Sequence, residues 1–351
     1  MSIDGNTRSG PGVSGQPVTL QLIAAELGVS TATVSLALRG NPAVAETTRL
    51  RVQERARQLG YVYNRSAASL RTSKTHMIGV CVHDIASPYF AELLSSVEEA
   101  ALAAGRTMLL GTYGESLERQ QRLLRTFREY RPDGVILCPA AGTTLADLRM
   151  LTEAGAPIVQ LSREMPGSGL DFVGSDDRAG TRKAVAHLVE LGHRRIAYFG
   201  GHLEVSTGSQ RHAAFVAALA EHGLAFDPAL IFPGWGRRET GIAAAEAAFA
   251  LAEPPTAAVC FNDLTAFGAM LGLYRLGKAP GRDFSLVGYD DVREASQWTP
   301  ALTTLAHDID PGKAATEVLL ARIADPSRPA TRIAIDPVLR VRGTTAPPRK
   351  A

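Results

Sequence analysis

The stretch GVSTATVSLALRG, residues 28–40, decides how the first sixty residues fold. Upstream of it, Leu20, Ile23, Ala24 and Leu27 share one face of a 3.6-residue helix, and Gly28 is placed to end that helix. Ser30 can cap a second helix, in which Val34 and Leu38 recur four residues apart as its inward face. A third segment, residues 45–59, turns Val52, Ala56 and Leu59 inward and scatters Arg49, Arg51, Arg55 and Arg57 elsewhere. Those arginines read equally as a solvated face or as partners for phosphate. Helix, glycine-containing turn and helix form the arrangement that lays its second helix in the DNA major groove. The second helix is nevertheless plain: it offers Thr31, Ala32, Ser35 and Leu36, with no Arg, Asn or Gln before Arg39.

Charge supports a polyanion partner for this head alone. The 351-residue chain has a net charge of +2, yet residues 18–75 hold eight Lys/Arg against three Asp/Glu. The head is thus +5, Asp4 and Arg8 cancel in residues 1–17, and the remainder is left at −3. No apolar run reaches the roughly 18–20 residues of a membrane span. The first 17 residues lack the apolar core of a secretory signal and read as a disordered Gly/Ser tail, so a cytoplasmic protein is expected. Cys81, Cys138 and Cys260 lie far apart in apolar runs and read as buried thiols. With no metal-ligand spacing and the histidines scattered, neither a metal nor a cofactor is expected.

Residues 18–72, from VTLQLIAAELGVSTATVSLALRG to NRSAASLRT, resemble without a gap the DNA-binding head of the lactose-repressor/galactose-repressor (LacI/GalR) family of bacterial transcription regulators. The resemblance implies that Thr19, Thr31, Ala32, Thr33, Ser35, Leu36 and Arg39 meet DNA. Physically, Ala32, Leu36 and the Thr31 methyl suit a thymine methyl, while the hydroxyls suit bases or phosphates. The family often has a polar or basic residue at Leu36 and usually Asn at Arg39, so the operator read here differs. Ala45 replaces a frequent Ser, which removes a helix cap worth about 1 kcal/mol. Residues 64–75 correspond to a linker that folds into a hinge helix when two subunits meet on DNA. It starts at Asn64, and its Leu70 and Arg71 match the minor-groove wedge and its neighbour. An apolar wedge is cheapest at a pyrimidine–purine step, so it reads deformability. On its residues alone, Leu70 reads rather as a linker residue tucked against the body.

From Met77 onward, short apolar runs (MIGVCVHD, TMLLGTY, GVILCPA, PIVQLS, RIAYFGG, AAVCFND, FSLVGYD) alternate with amphipathic segments such as 89–104, 117–130 and 177–191. That rhythm means parallel sheets covered by helices, which bind ligands beyond the carboxyl ends of their strands. The expected fold is a small all-α helix-turn-helix head (18–63) plus hinge helix (64–75). These join an α/β body (76–344) of two doubly wound parallel-sheet lobes, like periplasmic sugar-binding proteins. The resemblance divides the body into a first lobe of residues 76–174 and 307–333 and a second of 175–306 and 334–344. Residues 345–351 read as a tail without heptads, so a homodimer is expected and a coiled-coil tetramer is not.

The resemblance also implies a small-molecule effector in the cleft between the lobes. Tyr89 and Phe90 stand where a helix begins beyond the first strand, and two adjacent aromatics cannot both face inward. STGSQRHAAF brings Arg211 into the cleft with Thr207 nearby; GYDD supplies Asp290, and FNDLTAFGA supplies Asn262 with Asp263 expected as the helix cap. Trp235 reads as a lid over a ligand face or as a loop anchor. Ser162 stands where sugar-responsive members frequently carry Asp, Asp177 replaces a common Asn, and Val205 stands near the place of the Arg of a purine-responsive cleft. A sugar or related polyol is therefore expected.

Two other classes compete with a homodimeric regulator bound to a palindromic operator in double-stranded DNA. A transport-type binding protein is disfavoured by the head and the missing signal peptide. An enzyme is disfavoured because no GxSxG elbow, P-loop or GxGxxG follows a strand.

Overall fold

The computed structural model describes residues 18–61 and 74–349. The N-terminal tail, Asn64, Leu70 and Arg71 of the expected hinge, and the last two residues lie outside the described residues. The chain divides into a head ending at Lys74 and a body beginning at Thr75.

The head has three helices, α1 (Leu20–Leu27), α2 (Thr31–Leu38) and α3 (Glu46–Gln58). Thr19 caps α1 by accepting from the Leu22 N–H, and Gly28 closes it in the left-handed conformation at φ 65°. Ser30 caps α2 by accepting from the Thr33 N–H. Ala45 gives α3 no side-chain cap, in keeping with the missing hydroxyl. Ile23, Val34 and Val52, one from each helix, are fully buried together. Leu38, expected inward, is only half-buried, and Ala37 takes the inner position instead.

The body alternates strands and helices. Its first part is β1 (Met77–Val82), α4 (Pro88–Ala103), β2 (Thr107–Thr112), α5 (Leu117–Tyr130), β3 (Gly134–Leu137), α6 (Leu145–Thr152), β4 (Ile158–Leu161) and β5 (Asp171–Ser175). Next come α7 (Asp177–Glu190), β6 (Ile196–Phe199), α8 (Ser206–Glu221), β7 (Ile231–Phe232), α9 (Arg238–Phe249), β8 (Ala257–Cys260), α10 (Asp263–Arg275), β9 (Ser285–Tyr289) and β10 (Thr303–Ala306). The chain ends with α11 (Pro311–Ala324), β11 (Arg332–Ile335) and β12 (Val338–Arg340).

Two six-stranded sheets result, ordered β11-β5-β4-β3-β1-β2 and β12-β10-β9-β8-β6-β7. The first is wholly parallel. The second departs from the parallel expectation at one edge, where β12 runs antiparallel to β10. A two-residue link from β11 to β12 is too short for a parallel crossover within one sheet, and it passes directly to the other sheet. The chain crosses between the sheets after Ser175, after Ala306 and after Ile335. The first and third crossings fall one and two residues beyond the expected places, because β5 and β11 pair through Ser175 and Ile335.

Central strands such as β3, β8 and β9 are buried along their whole length, which explains their unbroken apolar runs. Each sheet separates two apolar clusters, and the three cysteines are free thiols inside them. The segment after Thr344 is no loose tail. The Ala346 carbonyl accepts from the Ser285 hydroxyl, and Arg349 pairs with Asp283 at 2.8 Å. Among the described residues no single helix is long and apolar enough to cross a membrane.

Helices α9 and α10 pack backbone to backbone through glycines. A Cβ on Gly268 would collide with the Arg238 carbonyl, and one on Gly241 with that of Thr265. Gly268→Ala should therefore destabilise the body by about 1–3 kcal/mol. Thermal denaturation followed by circular dichroism checks this; an unchanged melting temperature would mean the two helices pack less closely.

Candidate functional site

On the head, Thr31, Ala32 and Arg39 are exposed, while Thr33 and Leu36 are half-buried. Thr19 and Thr33 already serve structure, since the Thr19 oxygen caps α1 and the Thr33 hydroxyl lies 2.9 Å from that of Ser30. Ser35 is placed differently from its exposed neighbours on α2. It is buried, and its oxygen has no hydrogen-bond partner. The cause is local: Ser35 adjoins the core residue Val34, and Arg39 folds back to donate from Nε to the Ser35 carbonyl. Of the four arginines of α3, Arg55 pairs with Glu26 of α1 and Arg57 with Glu54. Such exposed pairs are worth little.

In the body, the strand order reverses between β1 and β3 in one sheet and between β6 and β8 in the other. Ligands bind at such switch points, beyond the carboxyl ends of the strands. A cleft of about 830 Å³, measured with its open mouth, lies there and is lined from both lobes. All eight residues expected in the cleft line it: Tyr89, Phe90 and Ser162 from the first sheet's side, and Thr207, Arg211, Trp235, Asn262 and Asp290 from the second's.

Their roles differ. Phe90 is buried in the first lobe's core, with its ring centroid 4.4 Å from that of His83 in an edge-to-face arrangement. Tyr89 packs against the cores of both lobes, and its hydroxyl lies 2.8 Å from that of Ser162. Asn262 is committed to structure. Its side-chain oxygen accepts from the Thr265 N–H and hydroxyl, making it the cap of α10, and its nitrogen donates to the Gly236 carbonyl. Asp263, expected as that cap, is instead buried and accepts from the Val292 N–H and the Thr304 hydroxyl. The residue before a helix is the one whose side chain can turn back to the free N–H groups, and here that residue is Asn262.

Arg211 donates from Nε to Asp177 at 2.7 Å and from Nη1 to the Phe261 carbonyl at 2.5 Å. Its guanidinium lies 3.5 Å over the Tyr289 ring. Burial holds the Asp177 carboxyl above its usual range in spite of Arg211. Asp290, at left-handed φ 110°, has no hydrogen-bond partner for its carboxylate among the described residues. Burial pushes it up to about 7, opposed by Arg211 and reinforced by Asp177 and Glu92. Trp235 stacks on His202 with ring centroids 4.2 Å apart and planes 9° from parallel.

Glu115, His202 and Arg237 are among the cleft residues that escaped the sequence reading. Glu115 accepts two hydrogen bonds from the buried Arg163, at 2.6 and 2.8 Å, and lies 3.3 Å from His83 Nε2. Burial, then Arg163 and Arg237, hold His83 well below its usual range, so it is neutral. His202 and Arg237 complete the second wall. Nothing in the sequence flags Glu115 or His202, since each follows a strand by several residues and is placed by a loop. Hydrogen bonds tie the lobes together: Glu92 accepts from the Arg293 N–H and the Glu164 N–H donates to the Ser206 hydroxyl, both at 2.9 Å, and the Ser175 and Tyr289 hydroxyls lie 2.6 Å apart. Among the described residues no group of three His, Cys, Asp or Glu side chains could hold a metal ion.

A helix-turn-helix head followed by a two-lobed body with a polar interlobe cleft defines a ligand-responsive DNA-binding protein. Residues 19–64 match the bacterial regulatory proteins of the lacI family, and residues 75–334 match the periplasmic binding proteins and sugar binding domain of the LacI family. The HTH-type transcriptional repressor PurR of Erwinia tasmaniensis is 33% identical over 93% of this chain and 97% of that protein. The Lac repressor dimer bound to operator and the anti-inducer ONPF superposes with a TM-score of 0.84 at 26% identity, covering 94% of this chain and 100% of that one. The regulator CelR in complex with cellobiose superposes at 0.71 and 28% identity, covering 93% and 99%. The chain belongs to the LacI family. It is a DNA-binding transcriptional regulator with a small-molecule effector, and not an enzyme.

Arg211→Ala should abolish the effector response while leaving operator binding in place, and should lower body stability by about 3–5 kcal/mol because Asp177 loses its partner. Operator-binding assays with and without effector, paired with thermal melts, check both; a retained response would remove Arg211 from effector recognition.

Proposed function

We propose that this regulator is a repressor that binds a palindromic operator as a homodimer and is switched by a sugar or related polyol held between its lobes. The reading rests above all on the Asp290 carboxylate, unpartnered among the described residues, which lines the cleft together with Trp235 and Tyr89. A sugar ring has an apolar C–H face for aromatic contact and an edge of hydroxyls for a carboxylate. Thr207, Trp235 and Arg237 add donors that no protein group occupies. Relatives support the same reading: the PurR proteins are named transcriptional repressors, CelR was solved with cellobiose, and a LacI-family regulator of Enterococcus faecium with ribose. The protein works in the compartment that holds its DNA, the bacterial cytoplasm.

On the DNA side, Thr31 and Ala32 supply methyl contacts, with Leu36 at the edge of the same surface. Residues 64–75 form the hinge, where Leu70 opens the minor groove at the operator's centre and Arg71 follows it. Effector binding pulls the lobes together and alters the spacing of the two hinges in the dimer. Selection of bound fragments from random duplex DNA near physiological salt tests this account. A palindrome with a pyrimidine–purine centre is expected; enrichment without that step would remove the Leu70 wedge, and no enrichment with or without effector would overturn the operator reading.

Asp290 makes effector binding depend on pH. Its folded pKa is raised, so protons stay bound up to about pH 7, and only the ionised form accepts fully from ligand hydroxyls. Effector affinity should rise as pH increases through about 7. Asp290→Asn should flatten that dependence and weaken binding roughly ten- to a hundredfold, the worth of one hydrogen bond to a charged group. Calorimetric titration across pH 6–8 is the check.

A further inference from the structure

Tyr289 stands where the three crossings between the lobes converge. It ends β9 of the second sheet and is buried. Its hydroxyl lies 2.6 Å from that of Ser175, the last residue of β5 in the first sheet, where the first crossing begins. His307 opens the second crossing, with its ring centroid 6.2 Å from that of Tyr289. Pro337 belongs to the third, the link between β11 and β12. A Cβ added to Gly180 of α7 would lie 3.0 Å from Pro337 Cγ and 2.5 Å from the Tyr289 hydroxyl oxygen. Only glycine at 180 lets both groups close on the same turn of α7.

That position gives one hydrogen bond unusual leverage. Groups near the axis of a hinge move little when the lobes rotate, while the mouth of the cleft moves far. A bond between hydroxyls holds only over oxygen separations of about 2.5–3.0 Å. Placed this close to the crossings, it confines the lobe angle narrowly. Losing it is costly, because a buried hydroxyl without a partner has given up its water for nothing. The Tyr289 ring also carries the Arg211 guanidinium 3.5 Å above it, and the next residue in the chain is Asp290. Both of these charged residues line the effector cleft.

We propose that Tyr289 is the positioning residue for the lobe angle. Its bond to Ser175 clamps the two lobes at the hinge, and Arg211, stacked on its ring, carries ligand binding to that clamp. The inference deepens the lobe-closure reading above and rests on it only in taking the lobe angle as what a ligand changes.

Pulsed electron spin resonance on the full-length protein tests the clamp without DNA or ligand. Spin labels go on Glu118→Cys and Glu239→Cys, exposed positions in the first turns of α5 and α9 at the carboxyl ends of the two sheets. The native cysteines are buried and stay unlabelled. Dilution with unlabelled protein leaves one labelled protomer in each dimer. The parent protein should give one narrow distance. Tyr289→Phe removes only the hydroxyl and should broaden that distribution about twofold or more, since nothing then limits the gap to hydrogen-bond length. Ser175→Ala should do the same, and the double variant should be no broader than either single one. Should Tyr289→Phe not fold, Ser175→Ala reads the same bond from a half-buried strand end. Arg211→Lys keeps a charge for Asp177 but loses the flat stack on the ring, and should broaden the distribution too. A distribution as narrow in Ser175→Ala as in the parent would overturn the clamp. Broadening in the hydroxyl variants but not in Arg211→Lys would overturn the link from the cleft to it. A failed operator selection with the broadening intact would overturn the operator reading and leave the clamp standing.

Discussion

The cleft is organised around two charges that face each other with almost no water. Arg211 comes from the second turn of α8 and Asp177 from the start of α7, and they meet 2.7 Å apart at the carboxyl end of the second sheet. Such a pair is costly to bury and tolerable only when its remaining groups are satisfied. The Phe261 carbonyl and the Tyr289 ring satisfy Arg211, and the Tyr289 hydroxyl reaches Ser175, where the chain crosses between sheets. One ion pair thereby ties two helices, the ends of β8 and β9 and a crossing segment into a single wall. The position of Asp290, next to Tyr289, follows from it.

That wall leaves one carboxylate unsatisfied while its neighbours are fully engaged. Asp263 spends its oxygens on Val292 and Thr304, and Asp177 on Arg211, but Asp290 faces the cleft without a partner. Asp290 is half-buried and opens on the cleft, so its carboxylate is left free to accept from a ligand. The same logic applies across the cleft, where Glu115 is saturated by Arg163 and His83 and so acts as a fixed strut. The hydrogen bonds that join the lobes, Glu164 to Ser206, Glu92 to Arg293 and Ser175 to Tyr289, each involve at least one neutral group.

The head works by a different economy. Its three helices are held by one small apolar cluster, and its DNA-facing residues are short side chains with little entropy to lose. Ser35 shows the limit of reading a helix face from spacing alone. Its spacing suits the outer face of α2, yet it is buried beside the core residue Val34, while Arg39 donates to its carbonyl. Thr31 and Ala32, at the exposed start of the helix, keep the reach that Ser35 lacks.

Much of this protein is determined locally, and the sequence alone determined it. Periodicity and capping residues depend on near neighbours, so the head's helices and seven of the strands were legible without coordinates, and the eight cleft positions were legible through the family resemblance. Glu115, His202 and the partnering of Asp263 were not, because each is positioned by segments distant in the chain. Asp263 meets residues 29 and 41 positions away, and Glu115 meets one 48 away. The same holds for the edge strands β7, β11 and β12, which are too short or too exposed to write an apolar pattern, and for the docked end beyond Thr344. Spacing in the chain specifies which side chains share a face. Which of them are consumed by each other, and which remain free for a ligand, was decided only when the tertiary structure brought their partners within hydrogen-bond reach.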